Sequence, residues 1–234
     1  MTRRALAMVA AIVLAHSLCL ADVTLIDDEF DGTELSQDWS VCFNLTQPSS
    51  GWDYSVAAGT LAVTDVRGFG SDEWSAVRLR QACRATGDFR LDCWLGWAAG
   101  TNGAMQQLRV VLLDSTGSHL ASAGFSDAWV LFSGVAYASV GGEGYQSSAY
   151  LPLLGEAWAA IARTDSTVRI YWDSDEVLVG TESAPVDSLE LSFWYYSYPG
   201  AYFGTERVDR VTVTAPETPV EETTWTRVKM LYRN

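Results

Sequence analysis

Histidine is almost absent from this chain, and cysteine is scarce. Its 234 residues hold two histidines and four cysteines. Beyond position 21 only His119, Cys42, Cys83 and Cys93 are left. No zinc-binding spacing can be assembled from that set. Lysine and arginine are also few, 15 against 29 acidic residues, and nowhere clustered, so the formal net charge is −14. So acidic a chain repels phosphate backbones, which excludes nucleic acid and anionic membranes as natural partners. Neutral glycans and divalent cations remain compatible with it. A long apolar run occurs once, over residues 5–20 behind Arg3 and Arg4. It is short for a bilayer span, which needs about 20 residues. Cys19-Leu20-Ala21 ends it with small residues at the −3 and −1 positions, the pattern of a signal peptide over residues 1–21 cleaved before Asp22. The rival readings are a membrane anchor and, because of Cys19, a lipoprotein, for which Leu18 is bulky. Cleavage removes two arginines and no carboxylate, taking the charge to −16. The expectation is a secreted protein, extracellular or on the cell-envelope surface, with no membrane span.

Three cysteines in an oxidising compartment leave at least one thiol unpaired. Cys83 and Cys93 lie on either side of the Ala85-Thr86-Gly87-Asp88 turn. One reading joins them by a disulfide across a hairpin; the other makes all three cysteines buried small residues on separate inward positions. His119 follows the turn-like Ser115-Thr116-Gly117-Ser118 and reads as a solvated turn residue.

What the sequence has in abundance is period-two alternation broken by Gly- and Asp-rich turns, the pattern of half-buried strands. Strand candidates fall at residues 61–63, 76–80, 89–95, 108–113, 128–132, 158–162, 168–172, 176–179, 189–196 and 208–213. In the second of these, Val77 and Leu79 share one face while Arg78 and Arg80 take the other. Residues 134–149, rich in Gly, Ser and Tyr, read as a long loop or a weak edge hairpin. Many short strands predict an all-β, two-sheet antiparallel sandwich over residues 22–214. A Pro/Glu/Thr linker follows at 215–224. Residues 225–234 form a short tail with Trp225, Val228, Leu231 and Tyr232 at helical spacing. It resembles the Trp-Gly-x-Ile-Lys-x-x-Tyr-Arg endings of some secreted bacterial proteins, with Thr226 in place of the Gly. A sorting or attachment motif and a tail that packs or frays are both open.

Four separated pieces carry a family resemblance: Glu29-Phe30-Asp31-Gly32 ahead of Trp39, Gly59-Thr60-Leu61-Ala62-Val63, Trp158 with the Asp165 to Asp173 hairpin, and Arg207-Val208-Asp209-Arg210-Val211-Thr212-Val213. In this order they resemble the concanavalin A-like lectin/glucanase superfamily, in its laminin G-like and laminarinase-like branches. The resemblance implies a jelly roll whose concave face often holds sugar. It also implies a structural Ca²⁺ bound by oxygens at Glu29, Gly59 and Asp209, a donor set suited to a hard cation. The other reading of Asp209 is a partner for a nearby arginine. Retaining hydrolases of this fold carry Glu-x-Asp-x-x-Glu on a central strand, where alternate positions bring two carboxylates together. That motif is absent here, and residues 105–113, nearest to its place, hold no carboxylate. The expectation is a non-catalytic protein.

Ten Trp and ten Tyr are many for this length. Trp39, Trp94, Trp97, Trp158 and Trp172 read as core or half-covered packing. Within residues 189–198, Leu189, Leu191, Phe193 and Tyr195 form one face and Trp194, Tyr196 and Tyr198 the other. The second set, joined by Tyr202, forms an aromatic stripe on which sugar rings can stack. Gln107 and Arg109, with Gln106 and Asn102, would supply polar partners. The leading expectation is therefore a carbohydrate-binding module for a neutral polysaccharide. The competing ones are an adhesive or envelope structural domain that meets cell-surface protein, and a divergent glycoside hydrolase or polysaccharide lyase.

Overall fold

The computed structural model describes residues 22–44, 52–65, 73–98, 105–128, 133–147, 151–152, 154–197 and 204–216. The expected signal peptide, the tail and most of the linker lie outside these residues. The chain divides into two units, one of Thr24–Ala215 and one of Met1–Val23 with Pro216–Asn234. The larger unit is a two-sheet antiparallel sandwich, as the alternation predicts. Among the described residues no helix is long and apolar enough to cross a membrane.

Among the described residues fifteen strands are formed. In chain order they are β1 (Asp22–Asp28), β2 (Ser40–Asn44), β3 (Trp52–Ala57), β4 (Thr60–Asp65) and β5 (Glu73–Ala85). Then come β6 (Phe89–Ala98), β7 (Met105–Leu113), β8 (His119–Ala128), β9 (Ser133–Val140) and β10 (Glu143–Gln146). The last are β11 (Leu154–Thr164), β12 (Thr167–Trp172), β13 (Asp175–Thr181), β14 (Val186–Ser197) and β15 (Thr205–Pro216). One sheet runs β13-β12-β11-β6-β15-β4-β3, with β1 also pairing β15; the other runs β10-β9-β8-β7-β14-β5-β2. The last strand therefore reaches into the linker predicted from residue 215.

Alternation decides which side chains fill the space between the sheets. On β6, Phe89, Leu91, Cys93, Leu95 and Trp97 are buried while Arg90, Asp92 and Trp94 face the other way. Leu108, Val110 and Leu112 of β7 meet Leu189, Leu191, Phe193 and Tyr195 of β14 in the same core. β5 and β6 are consecutive in sequence but belong to opposite sheets. Cys83 and Cys93 are consequently free, buried thiols, and the hairpin that would have bridged them is not formed. The reading as separate buried positions describes Cys83 and Cys93, whereas Cys42 is exposed.

The opening motif has a physical basis. Asp28 accepts a hydrogen bond from the Phe30 backbone N–H on Oδ1 at 2.8 Å and from Trp39 Nε1 on Oδ2 at 2.7 Å. One carboxylate thus holds a sharp turn, with Phe30 at φ 51°, against a buried Trp. The β3–β4 hairpin closes on Ala58 and Gly59 at φ 53° and 80°, the geometry of a two-residue type I′ turn. Residues 134–149 resolve in favour of the hairpin: β9 and β10 pair at the sheet edge through Gly141-Gly142. β8 has no counterpart in the sequence reading, and the strand expected at 128–132 falls largely outside the described residues.

Candidate functional site

The outer face of the seven-stranded sheet is built from every second residue of β2, β5, β14, β7, β8, β9 and β10. Strand register arranges these residues in rows, because directly paired residues share a face. One row runs Cys42, Arg78, Ser192, Arg109, Gly124, Tyr137, Gln146. A parallel row holds Ala76, Trp194, Gln107, Ser126 and Val135, and a third Ser40, Arg80, Glu190, Val111, Ser122, Ser139 and Gly144. Trp194, Gln107 and Arg109 therefore do share one surface, as expected. Of Tyr196 only the strand register opposite Met105 is described, and Tyr198, Tyr202 and Asn102 lie outside the described residues.

Gln106 faces the other way. It is fully buried, donates to the Ala98 carbonyl at 2.7 Å and accepts from the Gly204 N–H at 3.0 Å, so it ties two segments together. Parity alone separates it from Gln107.

Charge and aromatic groups are interleaved on the outer face. The Arg78 guanidinium lies 4.9 Å above the Trp194 ring, and Trp194 Nε1 donates to Ser192 Oγ at 2.7 Å. Glu190, only 5% exposed, pairs with Arg80 at 2.8 Å and Arg78 at 3.8 Å. Arg109 donates to Gln107 Oε1 at 2.7 Å and sits 4.6 Å over the Tyr137 ring. Gly124 leaves this row open: a Cβ there would stand 2.0 Å from the Leu108 carbonyl oxygen, so the close approach of β8 to β7 requires glycine.

At the β9–β10 end Arg109, His119, Tyr137, Ser139, Gly142, Glu143 and Gly144 line a cavity of about 320 Å³. His119 is exposed, as expected, but is the first residue of β8 rather than a turn residue, and Ser139 Oγ lies 3.3 Å from its Nε2 and 3.0 Å from Ser122 Oγ. Partial desolvation and then the neighbouring Arg109 charge push the imidazole below its ordinary value, so it is neutral near pH 7. Tyr137 and His119 were not among the expected site residues. Tyr137 sits among small residues in Gly-Val-Ala-Tyr-Ala-Ser-Val, and nothing local in that segment marks a strand beside β8.

On the opposite sheet the tryptophans depart from the core reading in part. Trp39 and Trp97 are buried, Trp158 and Trp172 are half-buried, but Trp94 points outward and is 47% exposed. Its neighbours on β6 fill the core, which leaves it on the solvent side.

Of the three positions expected to hold calcium, Glu29 and Gly59 are neighbours, and Asp209 is bonded to Thr60, the residue after Gly59. The Glu29 carbonyl oxygen lies 3.6 Å from where a Gly59 Cβ would stand, and Thr60 Oγ1 donates to Asp209 Oδ1 at 2.9 Å. Arg207 Nε also approaches Asp209 Oδ1, at 3.9 Å, and the Glu29 side chain pairs with Arg210 at 3.0 Å. Backbone carbonyls and one carboxylate would be the donors. Among the described residues no three His, Cys, Asp or Glu side chains gather as a metal cluster.

No family model matches the sequence, and no match was found among curated proteins. Solved structures do match in fold. The CBM2 module of the evolved Dit protein of Lactobacillus casei BL23 phage J-1 superposes with a TM-score of 0.61 at 13% identity, covering 82% of this chain and 95% of that one. A GlcNAcα1-4Gal-releasing endo-β-galactosidase from Clostridium perfringens gives 0.59 at 13%, covering 84% and 63%. A β-1,3-glucanase from Mycobacterium marinum gives 0.57 at 13%, covering 82% and 98%. At such identities the likeness is one of fold. The shared fold is a two-sheet antiparallel β-sandwich of the jelly-roll kind, found in that carbohydrate-binding module and in those glycoside hydrolases alike.

Proposed function

We propose that this chain is a secreted, non-catalytic glycan-binding module whose ligand lies across the outer, expectedly concave, face of the seven-stranded sheet. The observation that carries the reading is the gathering of Trp194, Gln107, Arg109 and Tyr137 on one face from strands far apart in sequence. Aromatic rings take the C–H faces of sugars, while amide and guanidinium donors take their hydroxyls. The cleft at Tyr137 adds a recess beside the row that holds Trp194. Hydrolysis by two carboxylates needs a pair flanking the bond. On the described part of these strands Glu190 is already held by Arg78 and Arg80, and the other carboxylate at this face, Glu143, lines the cleft at its β9–β10 end.

Quantitative binding across a polysaccharide panel tests the reading. Trp194→Ala should weaken retention of the bound glycan at least tenfold with the melting temperature little changed. Retention unaltered by that substitution, or release of reducing ends or unsaturated products from any bound polymer, would reject it.

The Glu29 and Gly59 carbonyls with the Asp209 carboxylate are proposed to hold a structural Ca²⁺ that ties the first turn to the last strand. Scanning calorimetry with and without EDTA decides this: loss of the ion should lower the melting temperature by several degrees, whereas coincident curves reject it.

A further inference from the structure

We propose that the ligand of this face is an acidic glycan, with a sugar carboxylate or sulfate seated on Arg109 in the cleft formed by Tyr137, His119 and Ser139. The proposal rests on the glycan-binding reading and narrows it, replacing the neutral polymer that net charge alone favours. Charge placement carries it. Across the whole chain acidic residues outnumber basic ones by about two to one. On the described part of this face the order reverses, with Arg78, Arg80 and Arg109 against Glu190 and, at the rim of the cleft, Glu143. Glu190 is committed to the two arginines of β5.

Arg109 is different from those two. Its contacts are an amide oxygen and the face of a phenol ring, and among the described residues no carboxylate lies within 4.0 Å of it. It is half-buried, and its Nε is enclosed without a hydrogen-bond partner. A guanidinium stays charged in any protein setting. One withdrawn from water without a counter-ion has given up hydration for little in return. A neutral sugar covering it would withdraw it further and still leave it unpaired. A carboxylate or sulfate supplies the missing charge and can accept two parallel N–H donors from the guanidinium fork.

The surroundings suit such a group. The cavity of about 320 Å³ opens beside the guanidinium, with the Ser139 hydroxyl and the His119 imidazole on its walls. Glu143 also lines it, as an exposed residue whose charge is screened by solvent. Arg78 and Arg109 flank Ser192 in one row, two strand spacings or about 10 Å apart. A polymer with repeated negative groups therefore meets a second cation along the same row. The chain's remaining surface is acidic and repels polyanions, so retention of one must be local.

Polygalacturonate, its methyl-esterified form, dextran sulfate and plain dextran, coupled to one resin and equilibrated at 0.15 M NaCl, form the test. The expected result is at least tenfold stronger retention on an acidic polymer than on its uncharged counterpart. Polygalacturonate against dextran sulfate then tells whether carboxylate or sulfate is the group bound. Arg109→Gln should abolish at least nine-tenths of that retention, and Arg109→Lys should restore only part of it. Arg90→Gln removes the same charge from the opposite sheet and should leave retention within twofold. Arg78→Gln provides a second measurement should Arg109→Gln fail to fold. Equal retention of charged and uncharged polymers, or undiminished retention by both the Arg109 and Arg78 variants, overturns the acidic ligand while leaving glycan binding intact. Failure of the wild type to retain any polymer, in this set or the wider panel, overturns both.

Discussion

Arg163 and Arg109 are both withdrawn from water, and they differ in what replaces it. Arg163, on β11, donates to the carbonyls of Gly87 and Ala184 and lies 4.8 Å from the Phe89 ring centroid. Those carbonyls belong to the segments joining β5 to β6 and β13 to β14, so the side chain fastens two crossings between sheets. Arg163→Met should cost about 2 kcal/mol in urea unfolding, since charge-assisted bonds from a buried guanidinium to part-buried carbonyls are lost. Arg109→Met should cost less than about 1 kcal/mol, because no buried carboxylate is orphaned by it. Cysteines divide in the same way. Cys42 is exposed, whereas burial pushes the Cys83 thiol up to about 11 and Cys93 higher still. Since the thiolate is the reactive form, iodoacetamide mapping of the native protein should modify Cys42 and spare Cys83 and Cys93 until unfolding. His119 supplies a pH dependence. Its folded value lies below the unfolded one, so the unfolded state binds the proton more tightly and stability falls as pH drops through about 6.5. The charged groups acting on it are Arg109 and, with opposite sign, Glu190. Paired urea titrations at pH 5 and pH 7 should show a smaller pH difference in His119→Gln than in the wild type.

At the scale of elements, legibility tracked side-chain contrast. β6, β12, β14 and β15 alternate large apolar residues with charged or hydroxyl ones, β7 ends in an apolar run broken only by Arg109, and their positions follow from sequence. β8 reads His-Leu-Ala-Ser-Ala-Gly-Phe-Ser-Asp-Ala, where Ala, Ser and Gly blur the two faces although Ala121, Ala123 and Phe125 are core. β9 is blurred for the same reason, which hid Tyr137. Strand parity set Trp194 apart from the core face of β14, but it was not applied to β7, where Gln107 and Arg109 share the face of Trp194 and Gln106, grouped with them, is buried. It could not say that β14 would lie between β7 and β5, because pairing of strands about a hundred residues apart leaves no local trace. The convergence of Arg78, Arg80 and Glu190 was illegible on that account. Small residues that blur the pattern can be required by geometry, as at Gly124, whose Cβ would also stand 2.8 Å from Arg109 Cα. Gly124→Ala must push β8 from β7 and should cost about 1–3 kcal/mol. A thermal melt gives the loss of stability, and resin binding should weaken with it because Arg109 is displaced.

For the molecule as a whole, the arrangement of charge sets two opposing responses to salt. A net charge of −14 works against compaction through self-repulsion, which added ions screen. The Debye length shrinks from about 30 Å at 0.01 M to about 8 Å at 0.15 M, so repulsion across the sandwich fades over that range. The melting temperature should therefore rise by a few degrees between those concentrations. Surface pairs such as Arg90–Asp92 and Arg169–Glu176 oppose the rise only weakly, since exposed ion pairs contribute little. Attraction of an acidic polymer to Arg78, Arg80 and Arg109 is screened by the same ions, so retention should fall as the fold gains stability. Salt that weakens binding by loosening the protein would move both quantities in one direction. Differential scanning fluorimetry and resin retention, measured on one sample series from 0.01 to 0.3 M NaCl, separate the two causes. Opposite slopes are what a basic face on an acidic body requires, and a retention that climbs with salt would place the contact on apolar surface instead.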